Sequence, residues 1–248
     1  MLLLANNFPP VCGGSAVVYD NIARVAAGAV DVLAAQIDYR DGTPLIAWRE
    51  HDRQAPYRAC RLPLLRTILP AHLPLRWRQA GFLIRDLAIR FRVMATILHL
   101  GRHERYDAVC LGELLASEWM IRPLRRLLGL RVIVYVHGEE ITTYDPFDPL
   151  KQRCRRLLRE VDGIVVESRF AQTAVLDLVT PGAASKVLLI QNGVASTTFT
   201  PGPKRRDPLA RYHLEDTFVF ASVCRLLEKK GHRPCAASVR DDRGRALR

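Results

Sequence analysis

The sequence predicts an α/β protein built on a doubly wound parallel sheet. Short runs rich in Leu, Val and Ile recur along residues 1–199, and helix-like stretches separate them. Within each run the apolar residues are consecutive rather than alternating, the pattern of strands covered on both faces. Strand–helix–strand alternation supplies the crossovers that parallel pairing requires.

Leu2–Ala5 is the first expected strand. A loop carrying Pro and Gly, NNFPPVCGG, leads into a helix over 15–27, with Val18, Ile22, Val25 and Ala26 on one face. A second strand is expected over 30–36. Further strands fall at 106–111, Arg131–Val136, Gly163–Val166 and 187–190, and helices at 114–128, 149–159 and 169–179. Gly129 is placed to terminate the first of these helices. The stretch 200–217 holds three prolines and little apolar periodicity, so it reads as a linker. Residues 218–223, FVFASV, then open a second sheet, giving an expected division into a domain at 1–199, a linker at 200–217 and the start of another domain at 218–231. No internal repeat interrupts this plan.

The chain of 248 residues carries a formal net charge of +12 and a pI near 9.9. Such a balance favours acidic partners: nucleotide phosphates, anionic lipid headgroups or nucleic acid. Only five of the 37 basic residues are lysine, which makes coding bias a second source of the basicity. The six cysteines show no C-x-x-C and no paired spacing with histidine, so neither a metal site nor a disulfide framework is expected. The N-terminus lacks a basic region before its short apolar run, and residues 82–100 contain Arg85, Asp86, Arg90 and Arg92, against a signal peptide and a membrane span respectively. The expected location is cytoplasmic.

In sheets of this type ligands gather at the carboxyl ends of the strands. After the first strand, Gly13 and Gly14 precede a helix start, where backbone N–H groups and the helix dipole favour a phosphate or a hydroxyl; a turn needing glycine only for its geometry is the other reading. His137 follows the fourth of these strands, with Gly138 beside it and Glu140 near enough to orient it, so it is a candidate for contact with a sugar hydroxyl or a developing charge. Ser168 is a helix cap. Asn192 and Gly193 form a tight turn that tolerates positive φ. Arg225 and Lys230, on the loop after 218–223, can clamp a diphosphate, or else make a solvated basic loop.

Taken in order, these elements resemble the family-four retaining glycosyltransferases of the GT-B fold. The resemblance rests on FPP-x-x-GG, on H-G-x-E at 137–140, on VDGIVVESRF, on KVLLIQNGV with Phe199 and Pro201, and on R-L-x-x-x-K-G at 225–231, and it covers residues 1–231. It implies two Rossmann-like domains, here an N-terminal acceptor-side domain plus the first strand of an incomplete donor domain. It implies transfer of a sugar from a nucleotide-diphosphate sugar to a glycan or lipid-linked acceptor, with retention and with neither metal nor cofactor. By resemblance, Gly13 and Gly14 approach the donor phosphates or the acceptor, His137 contacts the transferring sugar, and Arg225 and Lys230 neutralise the leaving diphosphate. The family's E-x-x-x-x-x-x-x-E pair is not found, and HRPCAASVRDDRGRALR at 232–248 reads as a non-native tail after a truncation or frameshift. The chain alone is therefore expected to be inactive or weak.

Residues 58–105 add ten arginines against Asp86 and Glu104, interleaved with apolar side chains and Trp77. This suits peripheral contact with an anionic membrane, as well as an Arg-rich exterior of ordinary core helices. No nucleic-acid motif accompanies the charge. The competing readings are a non-catalytic sugar- or membrane-binding remnant, one half of a split transferase, and an epimerase or phosphorylase on the same fold; NGV with Phe199 and Pro201, followed by R-L-x-x-x-K-G, argues against the last.

Overall fold

Seven short strands pair into one parallel sheet in the computed structural model, which describes residues 1–68, 76–143, 148–203, 206–214 and 223, with side chains at all of these except 76–80, 206 and 208. The strands are β1 (Leu2–Ala5), β2 (Asp31–Ala35), β3 (Ala59–Leu62), β4 (Ala108–Leu111), β5 (Arg131–Val136), β6 (Gly163–Val166) and β7 (Val187–Leu189). Their order is β3-β2-β1-β4-β5-β6-β7, every pair parallel. The order reverses between β1 and β4, which are directly paired, Leu2 opposite Val109 and Leu4 opposite Leu111. This is the doubly wound, Rossmann-like architecture the apolar runs predict.

Side chains of one strand alternate between two cores because successive Cβ atoms point to opposite faces. Leu2, Leu4, Leu33, Val109, Leu111, Val132, Val134, Ile164 and Val166 pack on one face with Val93, Ile97, Ile121, Leu124, Leu157 and Leu158. Leu3, Ala5, Val32, Ala34, Cys110, Tyr135 and Val165 pack on the other with Tyr19 and Ala23. Both faces are thus buried, which is why the strands read as unbroken apolar runs.

The helices are α1 (Gly14–Val25), α2 (Trp48–Gln54), α3 (Arg76–His103), α4 (Glu118–Arg126), α5 (Glu139–Thr142), α6 (Gln152–Glu160), α7 (Arg169–Leu176) and α8 (Arg206–Tyr212). Helix α4 begins four residues later than 114–128 suggests; at its far end Gly129 adopts φ 65 and lets Leu130 N–H reach the Leu124 carbonyl. Glu118 of α4 binds Arg153 and Arg156 of α6, and Arg122 binds Glu160, so charged pairs tie these helices together above their apolar contacts.

β3 and the 28-residue α3 are additions to the elements expected from sequence. In β3, the Arg61 side chain is almost wholly buried: it pairs with Asp52, donates to the carbonyls of Ala35 and Pro9, and lies 5.2 Å from the Phe8 ring centre. In α3, Val93, Ile97 and Leu100 face the core while Ile84, Leu87, Phe91 and Leu98 are exposed.

The chain divides into units at 1–193 and 194–248. In the second unit α8 is the one helix among the described residues. The strand expected at 218–223 lies outside the described residues apart from Val223, as does the expected tail.

Candidate functional site

The chain leaves β1 at Asn6, passes Phe8, and enters α1 at Gly14. Gly13, the residue before the helix, has φ 168 and ψ 154, extended backbone that any residue adopts. A Cβ placed on Gly13 or on Gly14 would meet nothing within 4 Å. Neither glycine is therefore demanded by the local geometry, and what their lack of side chains supplies is open space. No side chain caps α1 and no acidic residue stands in its first turn. The first N–H groups of a helix have no partner within it and carry the positive end of its dipole, so this opening suits an anion or a hydroxyl.

Gly112 is the contrasting case. It follows β4, and a Cβ there would lie 2.8 Å from Cζ of Tyr19 and 3.0 Å from the Leu4 carbonyl oxygen. Its glycine makes room for the Tyr19 ring, which is buried on the second core face.

From Tyr19 a hydrogen-bonded chain runs along the carboxyl ends of β4 to β7. The Tyr19 hydroxyl donates to the Gly112 carbonyl at 2.5 Å. Its single proton is thereby committed, so at 2.7 Å it accepts from Nε2 of His137. His137 Nδ1 stands 3.0 Å from Oε2 of Glu167, at the end of β6. Asn192 donates Nδ2–H to the same oxygen at 2.8 Å and accepts from the Tyr135 hydroxyl at 3.0 Å. Both ring nitrogens of His137 thus face oxygen atoms, of Tyr19 and of Glu167. Burial, then the neighbouring Cys110, Glu113 and Glu140, raises the Tyr19 pKa well above the phenol range. Burial, with Glu167 adding to it, pushes Tyr135 up to about 12.

Two expectations change here. The carboxylate that orients His137 is Glu167, from the neighbouring strand, and not Glu140. Asn192 and Gly193 adopt no positive φ; Asn192 acts through its side chain, bridging Tyr135 and Glu167, while a Cβ on Gly193 would meet nothing within 4 Å. Glu140 instead lies in α5 behind Gly138, whose φ of 93 turns the chain out of β5. Its Oε2 is buried with no hydrogen-bond partner among the described residues. Burial raises its pKa, against the opposing pull of its own backbone N–H and of His137. Ser168 caps α7, accepting from Ala171 N–H at 3.2 Å. Arg225 and Lys230 lie outside the described residues.

Glu113 is the residue that sequence reading missed. It directly follows Gly112 at the end of β4, on the far side of the switch point from Asn6. Asn6 Nδ2 donates to Glu113 Oε2 at 2.9 Å, and Arg66 Nη1 stands 3.6 Å from the same oxygen. Arg66 also lies 4.8 Å from the Tyr39 ring centre. Burial raises the Glu113 pKa, Arg66 and Asn6 oppose the rise, and Glu140 reinforces it. The available signal was its position, a carboxylate at a strand end in CLGEL.

A groove of about 440 Å³ is lined by Leu115 and Ala116 after β4, by Arg90 of α3, and by residues of α4 and α6, Trp119, Arg122, Arg153 and Arg156 among them. Three of these arginines are engaged by Glu118 and Glu160.

Solved structures share this fold. Anabaena HepE in complex with UDP-glucose matches at TM-score 0.59 and 17% identity, over 94% of this chain and 54% of that one. HepE in complex with UDP matches at TM-score 0.58 and 16% identity, over 94% and 55%. HepE with UDP and glucose matches at TM-score 0.52 and 16% identity, over 86% and 50%. The chain spans about half the length of these structures. At such identities the likeness establishes the fold, the Rossmann-like α/β unit expected of a GT-B N-terminal domain. No protein-family model and no curated protein matches the sequence.

Proposed function

We propose that this chain is the acceptor-side part of a retaining, family-four-like glycosyltransferase that takes a nucleotide-diphosphate sugar as donor and a glycan or lipid-linked acceptor. The observation that carries the reading is the uncapped start of α1, where Gly13 and Gly14 leave open space that their own backbone does not require. Backbone N–H groups there would meet the donor phosphates or an acceptor hydroxyl. The fold likeness to structures solved with UDP-glucose supports the choice of ligand. His137, held in orientation by Tyr19 and Glu167, would contact the transferring sugar as the sugar–phosphate bond breaks. Glu140 would border the same site, with Asn192 and Gly193 on its β7 side. Arg225 and Lys230 would neutralise the leaving diphosphate, with no metal required. By the resemblance, much of the transition-state binding belongs to the second domain, so the chain alone would turn over weakly or not at all.

Calorimetric titration of the purified chain with UDP-glucose, with and without EDTA, tests this. Saturable binding that the chelator leaves unchanged, with little donor hydrolysis, is the expected result. Absence of binding overturns the donor assignment, and brisk turnover overturns the claim that the chain alone is weak.

A second reading, binding at a membrane without turnover, draws on α3. Ile84, Leu87, Phe91 and Leu98 form an exposed stripe opposite Val93 and Ile97, and the exposed Arg85, Arg92 and Arg102 accompany it. Such a face fits peripheral contact with an anionic leaflet, on the cytoplasmic side. Among the described residues no helix is long and apolar enough to cross a membrane. Co-sedimentation with vesicles containing anionic lipid, and none with neutral vesicles, is expected; equal binding to both would remove the electrostatic part.

A further inference from the structure

We propose that His99 and His103 of α3 form a surface site for a divalent transition-metal ion, and that the ion clips the last turn of this helix. The proposal is independent of the sugar-transferase reading and concerns the other end of the sheet. Helix α3 leads into the amino end of β4, whereas Gly13, His137 and Asn192 stand beyond the carboxyl ends of β1, β5 and β7.

The two histidines are four residues apart, the spacing that sets side chains one above the other on a helix. Both are exposed, and their ring centres lie 4.8 Å apart with the ring planes at 70°. With metal–nitrogen bonds of about 2.0–2.1 Å, two imidazoles that share one ion bring their ring centres to roughly 5 Å. The rings therefore already stand at chelating distance, and little side-chain freedom is lost on binding. Among the described residues neither ring is taken up by a hydrogen bond or an ion pair. His51 and His137 are the contrast, their Nδ1 atoms held against Asp52 and Glu167.

The donor set defines the ion. Two neutral imidazoles suit Ni²⁺, Cu²⁺ and Zn²⁺, and leave Mg²⁺ and Ca²⁺ without the oxygen ligands they need. The spacing of the cysteines bears on thiolate sites and not on this pair. Glu104, the next residue, pairs with Arg58 at 3.2 Å, and among the described residues no group of three or more His, Cys, Asp or Glu is arranged to hold a metal ion. The protein thus supplies two ligands and water the others, which makes an exchangeable site rather than a closed structural one. Arg102 and Arg105, both exposed, add positive charge beside the pair, so bonds to nitrogen and not the surrounding field hold the ion. The helix itself favours a cation at its carboxyl end. Val93, Ile97 and Leu100 anchor this part of α3 in the core, and the Glu104 N–H to Leu100 carbonyl bond closes its last turn. An ion joining His99 to His103 spans that turn and opposes its fraying where the chain leaves for β4.

Calorimetric titration of the full chain, carrying no histidine tag, with nickel chloride tests the site, and thermal melting with and without excess Ni²⁺ tests the clip. Saturable binding of a single Ni²⁺ per chain is expected, with no such binding of Mg²⁺, and a melting temperature raised by about 3–6 °C. His99→Ala and His103→Ala should each weaken Ni²⁺ binding by at least about tenfold and remove the rise in melting. His213→Ala, which alters another exposed histidine, should change neither. No saturable binding to the unaltered chain, an equal response to Mg²⁺, or binding that survives either substitution in the pair overturns the site. Binding without a rise in melting overturns the clip. The first two outcomes need no variant and so do not depend on how a variant folds. UDP-glucose binding that EDTA leaves unchanged is compatible with this site, so either idea can fail without the other.

Discussion

The two sides of the strand ends differ in how far the protein completes itself. From β4 towards β7 one chain of polar groups is closed, Tyr19 claimed by Gly112 and His137, His137 by Glu167, Glu167 by Asn192 and Asn192 by Tyr135, with Glu140 outside that chain. Around the β1–β4 switch point, Gly13 and Gly14 face open space and Asn6 and Glu113 each keep a bare oxygen. The saturated side acts as a rigid frame, because each bond fixes the next group's tautomer or rotamer. The unsaturated side has hydrogen-bonding capacity to spare, and it is there that the proposed ligand would bind.

The contrast can be broken first at Gly112. Gly112→Ala drives a methyl group into Tyr19 and the Leu4 carbonyl, and is expected to cost roughly 3 kcal/mol, read from urea denaturation. A cost near zero would mean that Tyr19 relaxes freely and that the frame is not rigid. The matched test on the open side is Gly13→Val. An added Cβ there meets nothing within 4 Å and the backbone is already extended, so stability should fall by less than about 1 kcal/mol. UDP-glucose binding, by contrast, should weaken about tenfold, or about 1.4 kcal/mol. Equal loss of both would show that Gly13 serves the fold rather than a ligand.

The smallest effect sharpens the comparison through pH. Glu113 has a raised folded pKa, chiefly from burial, so its protonated form is the one the fold favours. Its contribution is full below the ordinary carboxylate range and is lost as pH rises through the raised value. Glu113→Gln should flatten that decline in Tm between acid and neutral pH while leaving the acid end little changed. Arg66, Asn6 and Glu140 act on the same carboxyl, so an unflattened profile would assign the slope to Glu140.

Legibility followed local pattern. β1, β5 and β6 were readable because strands buried on both faces leave unbroken apolar runs. β3 was not, because Arg61 sits in its middle; its charge is balanced by Asp52 and by the carbonyls of Pro9 and Ala35, partners that come together only after folding. The long α3 was obscured in the same way, its core face and its exposed apolar stripe merging into one mixed composition with arginine. His137 stands directly after β5, as its place in the sequence implies. Its hydrogen-bonded carboxylate is Glu167, 30 residues away, and not the nearer Glu140, because the pairing depends on strand register.

The sequence by itself therefore determined the parallel sheet, where its strands end, and the helix that Ser168 caps. These follow from periodicity and from interactions within a few residues. The tertiary structure alone decided which polar groups are spent and which are spare. A hydrogen bond between strand ends depends on register across the sheet, and register brings Asn6 to Glu113 over 107 residues and His137 to Tyr19 over 118. No local rule carries that distance; only the packed sheet does.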